Sequence, residues 1–315
     1  MGARRDGVQR VSSRPEYGDR VPRANDKHPA ASASAVLVCQ GRAVADGRYA
    51  VGRFTDPVAR RLLDPAELDL VDAVRDESGP PEAGGRIGYE MLRGTGAVMV
   101  PRTIAIDDAV RDHAARQLVI LGAGLDDRVY RMPELTDVSV FEVDHAASQA
   151  DKQRRAAALE PLARLTSVTV DLSSEQLENP LRSAGFDPSE PTTWVWEGVV
   201  PYLTRSATIE TLAQLTALSA VGSRLVVNYQ AKSAVAAVLR RVMRFAIRMT
   251  KQADPLGAEP WRSLWRPQDL AEVLTAHGFD VLSDEDLLTL ADGLDLPRAA
   301  DRSLRTGRVA VARLR

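Results

Sequence analysis

Two glycines and an acid, spaced as a nucleoside site needs them, pose the first chemical question in this chain. Gly122 and Gly124 lie in the run QLVILGAGLDDR (117–128), and Asp144, twenty residues past Gly124, follows in VSVFEVDH (138–145). Leu118 to Leu121 form a short apolar, partly β-branched run that reads as a buried strand. The glycines then give a turn without Cβ atoms, which a ligand could approach closely. VSVFEV reads as a second strand, and an acid at its end suits a ribose diol. Asp144 is placed best for that contact, with Glu142 as the other candidate.

The residues after the turn bear on which nucleoside is bound. A dinucleotide fingerprint needs a third glycine three places after the second, so that a pyrophosphate can rest on a helix N-terminus. Here that position is Asp127, preceded by Asp126. Two carboxylates would repel a pyrophosphate but accommodate a ligand carrying an ammonium and a sulfonium. The loop therefore favours S-adenosyl-L-methionine over NAD. The four histidines (His28, His113, His145 and His277) are scattered without ligand spacing, so no metal is expected. His145, next to Asp144, is a candidate for chemistry at the site.

The elements that must hold these residues alternate between strand and helix. The pattern predicts strand 118–121, helix 127–132, strand 138–143, helix 146–158, strand 166–170, helix 173–184, strand 193–196, helix 205–220 and strand 223–229. Two last strands follow near 279–283 and 307–315. Such alternation specifies an α/β fold with a doubly wound parallel sheet. Upstream, residues 32–63 read as helical in two pieces, with Asp56-Pro57 opening the second. Residues 64–85 are acidic and end in GPPEAGG, a flexible connection, and a helix runs from about 106 to 115. Residues 1–30 are charged and rich in proline and serine, without the apolar core of a signal peptide, and read as a disordered tail. Residues 232–252 make an amphipathic helix with Arg240, Arg241, Arg244 and Arg248 on one side. That basic face is a solvated surface, a lid attracting a carboxylate, or a membrane-surface face. Trp261 and Trp265 either wall a pocket or simply pack.

Composition narrows the class. At 315 residues with 44% hydrophobic side chains, the chain can build one large α/β domain. A net charge of −2 gives no electrostatic case for nucleic acid. The single Cys39 excludes an internal disulfide, fits a cytoplasmic enzyme and reads as a buried thiol. No run of eighteen apolar residues exists, so no membrane span is expected. Monomer and homodimer both remain open.

Six segments in order resemble the leucine carboxyl methyltransferase family of S-adenosylmethionine-dependent enzymes, in particular the branch abundant in mycobacteria and streptomycetes. They are MVPRTIAIDDAV (99–110), QLVILGAGLDDRVYRMPEL (117–135), VFEVDHAASQADKQ (140–153), VTVDL (168–172), TWVWEGVVPYL (193–203) and ALSAVGSRLVVN (217–228). The resemblance spans roughly residues 32 to 313. It departs at Asp127, where the branch usually carries threonine, and at the residues before Arg102. It implies a class I methyltransferase (Rossmann-like) sheet with an N-terminal helical cap (31–105) and an inserted lid (231–275), all within one domain, 31–315.

The resemblance also implies roles for residues at the strand ends. Gly122 and Gly124 would pass under the methionine part of the donor, and Asp144 would bind its ribose. Asp171 and Leu172 would meet the adenine, Glu197 the ammonium and Arg102 the carboxylate. Asp171 could instead cap a helix, and Arg102 could be a surface cation. Tyr202 and His145 are the candidates for work on the acceptor. The expected reaction is carboxyl O-methylation of a small-molecule acid, as in secondary metabolism. A carboxylate is already ionised at neutral pH, so it needs orientation and desolvation more than a base. The alternatives are C- or O-methylation of a keto acid or phenol, or a non-catalytic scaffold that binds the donor.

Overall fold

Strand β1 (Gln117–Leu121) is buried at every position and stands at the centre of a seven-stranded sheet. The computed structural model describes residues 32–79, 83–232, 261–297 and 301–315. The expected tail, helix 232–252 beyond its first residue, and the middle of the expected lid lie outside the described residues. The sheet comprises β1, β2 (Ser139–Asp144), β3 (Arg164–Thr169), β4 (Thr192–Trp196), β5 (Arg224–Gln230), β6 (Phe279–Asp286) and β7 (Gly307–Leu314). Their order is β3-β2-β1-β4-β5-β7-β6, with β7 antiparallel to both its neighbours and β1 to β5 parallel. The order reverses between β1 and β4, which is where doubly wound sheets open a crevice for ligands.

Both faces of this sheet are covered, which is why its central strands are continuous apolar runs rather than alternating ones. Val119, Leu121, Phe141, Trp194, Trp196 and Leu225 point to one face, with Leu212 and Leu215 of helix Arg205–Ala217 and Leu270 and Leu274 of helix Pro267–Ala276. Their neighbours along the strands, Leu118, Ile120, Val140, Val195 and Val226, face the other side, against Ile106, Ala109 and Val110. Alternation of side chains along a strand makes the two layers from one run.

Before β1 lie three helices: α1 (Ala33–Ala45), α2 (Pro65–Arg75) and α3 (Ala83–His113). They share a core of their own that includes Cys39, Val44, Leu62, Val71, Leu92 and Val100. Cys39 is fully buried and its thiol donates to the Ala59 carbonyl at 3.3 Å; burial pushes its pKa well up, so it is not a ready nucleophile.

Four local expectations need correction. Residues 64–85, expected to be a flexible connection, contain helix α2. Pro65 stands at its first position, where a missing N–H costs nothing, and the Asp64 N–H donates to Glu67 Oε2 at 2.8 Å. The helical piece expected after Pro57 is a single 3-10 turn, Ala59–Leu62. The helix expected to start near 106 is the last part of α3, which runs straight through Pro101. Packing overrides the lost hydrogen bond there. The helices lie so close that a Cβ on Gly41 of α1 would come 2.8 Å from Thr95 Cγ2 of α3. The helix expected over 173–184 is likewise confined to Glu178–Ser183, because serine side chains and Asp171 hold 171–174 in a turn.

Candidate functional site

All nine residues expected at the site line one cavity of about 570 Å³ at the C-terminal ends of the parallel strands. That volume lies within the roughly 300–1,000 Å³ usual for small-molecule sites. Each residue reaches it from a strand end or from α3. Gly122 and Gly124 follow β1, Asp144 ends β2, Asp171 and Leu172 follow β3, Glu197 follows β4, and Arg102 sits on α3 one residue after Pro101.

The glycine turn is tight on both sides. Gly122 and Gly124 both have positive φ, 64° and 49°. A Cβ on Gly122 would lie 2.3 Å from Val199 Cγ2, and one on Gly124 would lie 3.1 Å from the Ala35 Cβ of α1. The missing side chains thus let the loop after β4 and the start of α1 close over the turn, beyond any room they leave for a ligand. Asp144 fastens the turn from below. Its Oδ2 accepts from the Gly124 N–H at 2.6 Å and its Oδ1 from the His145 N–H at 2.7 Å. A carboxylate has about four lone-pair positions, so capacity for two hydroxyls remains. Glu142, the other acid considered for this contact, turns away and is buried against Lys152 Nζ at 2.7 Å.

Arg102 and Glu197 meet each other: Arg102 Nε lies 2.7 Å from Glu197 Oε1. Arg128 Nη2 holds the other Glu197 oxygen at 2.8 Å. Arg102 is therefore a buried, paired cation and not a surface one. A cation beside an anion at one end of a cavity matches the zwitterionic end of an amino acid. Burial works to raise the Glu197 pKa, but Arg102, then Arg128 and Arg42, hold it down to about 2.

The acid window follows from that pairing. The folded carboxyl sits below the ordinary 4.5, so its stabilisation is complete above pH 4.5 and is lost as pH falls from there towards 2. The loss is on the order of 3 kcal/mol. Denaturant unfolding between pH 6 and 3 checks it. Glu197→Gln should flatten the slope in that window, and an unchanged slope would refute the assignment.

The sequence reading had Asp126 and Asp127 tolerating or attracting a cationic ligand, and the structure gives them other partners. Asp127 is buried between Arg42 Nη2 at 3.0 Å and Arg131 Nε at 2.7 Å, and these hold its carboxyl well below the usual range against the opposing effect of burial. Asp126 pairs with Arg128, whose Nε also reaches Asp107 at 2.7 Å. Asp56, fully buried, receives Arg42 Nε at 2.7 Å. Four arginines (42, 102, 128 and 131) and five carboxylates (56, 107, 126, 127 and 197) thus form one buried network under the donor end. Sequence reasoning missed most of it, because residues 42 and 56 lie outside the segments that carry the resemblance and Asp107, inside one of them, was given no role. The only signal was the density of charge in LDDRVYR.

The remaining candidates have defined surroundings. His145 caps helix Ala146–Arg155, and its Nδ1 accepts from the Ala147 N–H at 3.3 Å. That contact turns Nδ1 towards the helix. Asp171 Oδ1 accepts from the Ser173 N–H and Oγ at 2.9 and 2.6 Å, a turn and not the cap of a long helix. Leu172 packs on the core at its edge. Tyr202 is half-buried in the 3-10 turn Val200–Tyr202. Among the described residues no His/Cys/Asp/Glu cluster could hold a metal, and no helix is long and apolar enough to cross a membrane.

Comparison with known proteins places this geometry. The family model described as leucine carboxyl methyltransferase matches residues 35–216. A protein of Mycolicibacterium gilvum, provisionally named an S-adenosyl-L-methionine-dependent methyltransferase, is 32% identical over 82% of this chain and 92% of its own length. Similarly named proteins of Mycolicibacterium vanbaalenii and a Parafrankia strain are 36% and 40% identical, over 57% and 46% of this chain. In those two, the match spans only 61% and 48% of the relative's own length. Among solved structures, a DUF574 family protein from Streptomyces avermitilis matches with a TM-score of 0.54 at 17% identity, over 90% of this chain and 98% of that one. A provisionally assigned methyltransferase from Thermobifida fusca has a TM-score of 0.52 at 16% identity, over 92% and 97%. At such identities these two establish the fold alone.

Proposed function

Because the chain belongs to the leucine carboxyl methyltransferase family, we propose that it carries a methyl group from S-adenosyl-L-methionine to the carboxylate of a small-molecule acid. The family and its relatives support an S-adenosyl-L-methionine-dependent methyltransferase; the carboxylate acceptor is our further reading. One observation supports it: among the described residues, each carboxylate lining the cavity is already held, and the donor roles take the capacity that is left, so none remains as a base for the acceptor. Glu197 and Asp126 are bound to arginines, Asp144 to two backbone N–H groups, Asp171 to Ser173, and the His145 Nδ1 to its helix. A phenol or an enol would need such a base to ionise, whereas a carboxylate arrives ionised.

The donor's chemistry is fitted by the residues present, since a cation–anion pair, a strand-end carboxylate and an apolar edge line the same cavity. When bound, it supplies a methyl carbon whose bond to sulfur breaks, the pair passing to sulfur, as a carboxylate lone pair bonds to carbon; no proton moves. Glu197 would hold the amino group and Arg102 the carboxylate of its zwitterionic end. Asp144 would receive both ribose hydroxyls, while Asp171 and Leu172 would meet the exocyclic amine and the face of the base. Tyr202, on the loop after β4, would orient the acceptor. The apolar wall made by Leu37, Val38, Val98 and Met99, in the part we assign as cap (31–105), strips water from an entering carboxylate, and Trp261 and Arg262, from the described end of the part we assign as lid (231–275), line the same cavity.

The test is transfer of tritium from methyl-labelled S-adenosyl-L-methionine to a small-molecule cell extract. Label released as volatile methanol by mild alkali is the expected result, since esters hydrolyse and ethers do not. Alkali-stable label would replace the carboxylate with another nucleophile. No transfer by protein that binds the donor would point to a scaffold.

A further inference from the structure

The donor roles leave part of the cavity lining unassigned, and a cation is among it. Leu37, Val38, Val199, Leu203, Trp261 and Arg262 belong to that part. The segment bearing Arg262 is fixed by its backbone. The Arg262 and Ser263 N–H groups both donate to the Pro201 carbonyl, at 2.7 and 3.2 Å, and Ser263 Oγ donates to the Val200 carbonyl at 2.9 Å. Two residues on, the Trp265 N–H donates to the Gln230 carbonyl at 3.1 Å and the Lys232 N–H donates to the Trp265 carbonyl at 3.0 Å. Residues 262–265 are thus sewn to the loop after β4 and to the end of β5, the two elements that flank the crevice on that side.

Of the three arginines lining the cavity, two are already engaged. Arg42 is held by Asp56 and Asp127, and Arg102 by Glu197. Arg262 is exposed and, among the described residues, makes no ion pair. An arginine fork on a fixed backbone beside an apolar wall is suited to a carboxylate attached to an apolar body, because it binds both oxygens while the wall takes the rest. Resting on the carboxyl reading above, we propose that Arg262 binds the acceptor's carboxylate and that the acceptor is an acid with an apolar body, such as an acyl or arylalkyl acid. No proton transfer is required of Arg262; it orients one oxygen towards the methyl carbon and holds the other.

The experiment uses the full chain with octanoate, phenylacetate and lactate as probes. Affinity for S-adenosylhomocysteine is measured first, by titration calorimetry, in the wild type, Arg262→Ala and Arg262→Lys. It should be the same in all three, since no donor contact is assigned to Arg262. Ester formation is then followed as alkali-released methanol. Octanoate or phenylacetate should be esterified and lactate poorly. Arg262→Ala should raise the acceptor KM about ten- to a hundredfold, as expected for loss of a charge-assisted contact, with kcat changing far less. Arg262→Lys should recover part of the loss, which a merely structural side chain would not do. An unchanged KM in Arg262→Ala overturns the assignment of Arg262 while leaving carboxyl methylation standing. Preference for lactate overturns the apolar body. No ester from octanoate or phenylacetate, by protein that binds S-adenosylhomocysteine, overturns the proposal, and the extract assay still decides the carboxyl reading separately.

Discussion

Methionine in place of Arg128 is expected to lower the unfolding free energy by about 3–5 kcal/mol, a fall in Tm on the order of 10 °C for a chain of this size. The guanidinium is buried and contacts three carboxylates: Asp126, Asp107 at 2.7 Å and Glu197 at 2.8 Å. Two of the three keep a second arginine, Asp107 through Arg131 at 2.6 Å and Glu197 through Arg102. Asp126 keeps no other arginine contact among the described residues, only the N–H of residue 128. The cost therefore concentrates on one stranded charge, since a buried ion that loses its partner forfeits more than the pair contributed. Adding Asp126→Asn to the methionine variant should recover part of the loss, giving a non-additive cycle. Thermal and urea unfolding of the two single variants and the double variant check this. A single-variant loss below about 1 kcal/mol would mean that the network is not held by its central arginine.

The same network shows where a sequence stops being legible. β1 and β4 were readable because a strand buried on both faces is a continuous apolar run, and LVIL and WVW within them are such runs. Asp144 and Glu197 were readable because the first ends β2 and the second follows β4, and strand ends are where this fold places its ligand. The partners of Asp127 were not. Arg42 lies 85 residues away, and only the packing of α1 against α3, set by Gly41 and Thr95, brings it under the turn. The sequence therefore suggested two acids facing a ligand, while the fold had assigned them to arginines. The reach of α3 was not legible either. A proline inside a helix costs a hydrogen bond, yet tertiary packing carries α3 through Pro101 and so places Arg102 on that helix. Arg262 had no signal of its own, since what marks it is the backbone of its segment, tied to Val200 and Pro201.

Alanine in place of Asp144 should weaken the binding of S-adenosyl-L-methionine and S-adenosylhomocysteine at least a hundredfold, about 2.7 kcal/mol. Two losses combine. The ribose hydroxyls lose a charged acceptor, a contact of about 1.5–3 kcal/mol. The glycine turn also loses its fastener, because Asp144 is what accepts from the Gly124 and His145 N–H groups. Asparagine should be nearly as damaging, since its amide would present N–H to one of those two donors. Calorimetry separates the two contributions when a 2′-deoxy form of S-adenosylhomocysteine is included. The wild type should bind the deoxy ligand more weakly than the parent, whereas Asp144→Ala should barely distinguish them, and the difference between those ratios isolates the hydroxyl contact. Equal discrimination in both proteins would leave Asp144 only its contacts to the turn and move the ribose elsewhere in the cavity. Affinity in Asp144→Ala within threefold of the wild type would remove it from the donor site altogether, and with it the physical reason for an acid at the end of β2.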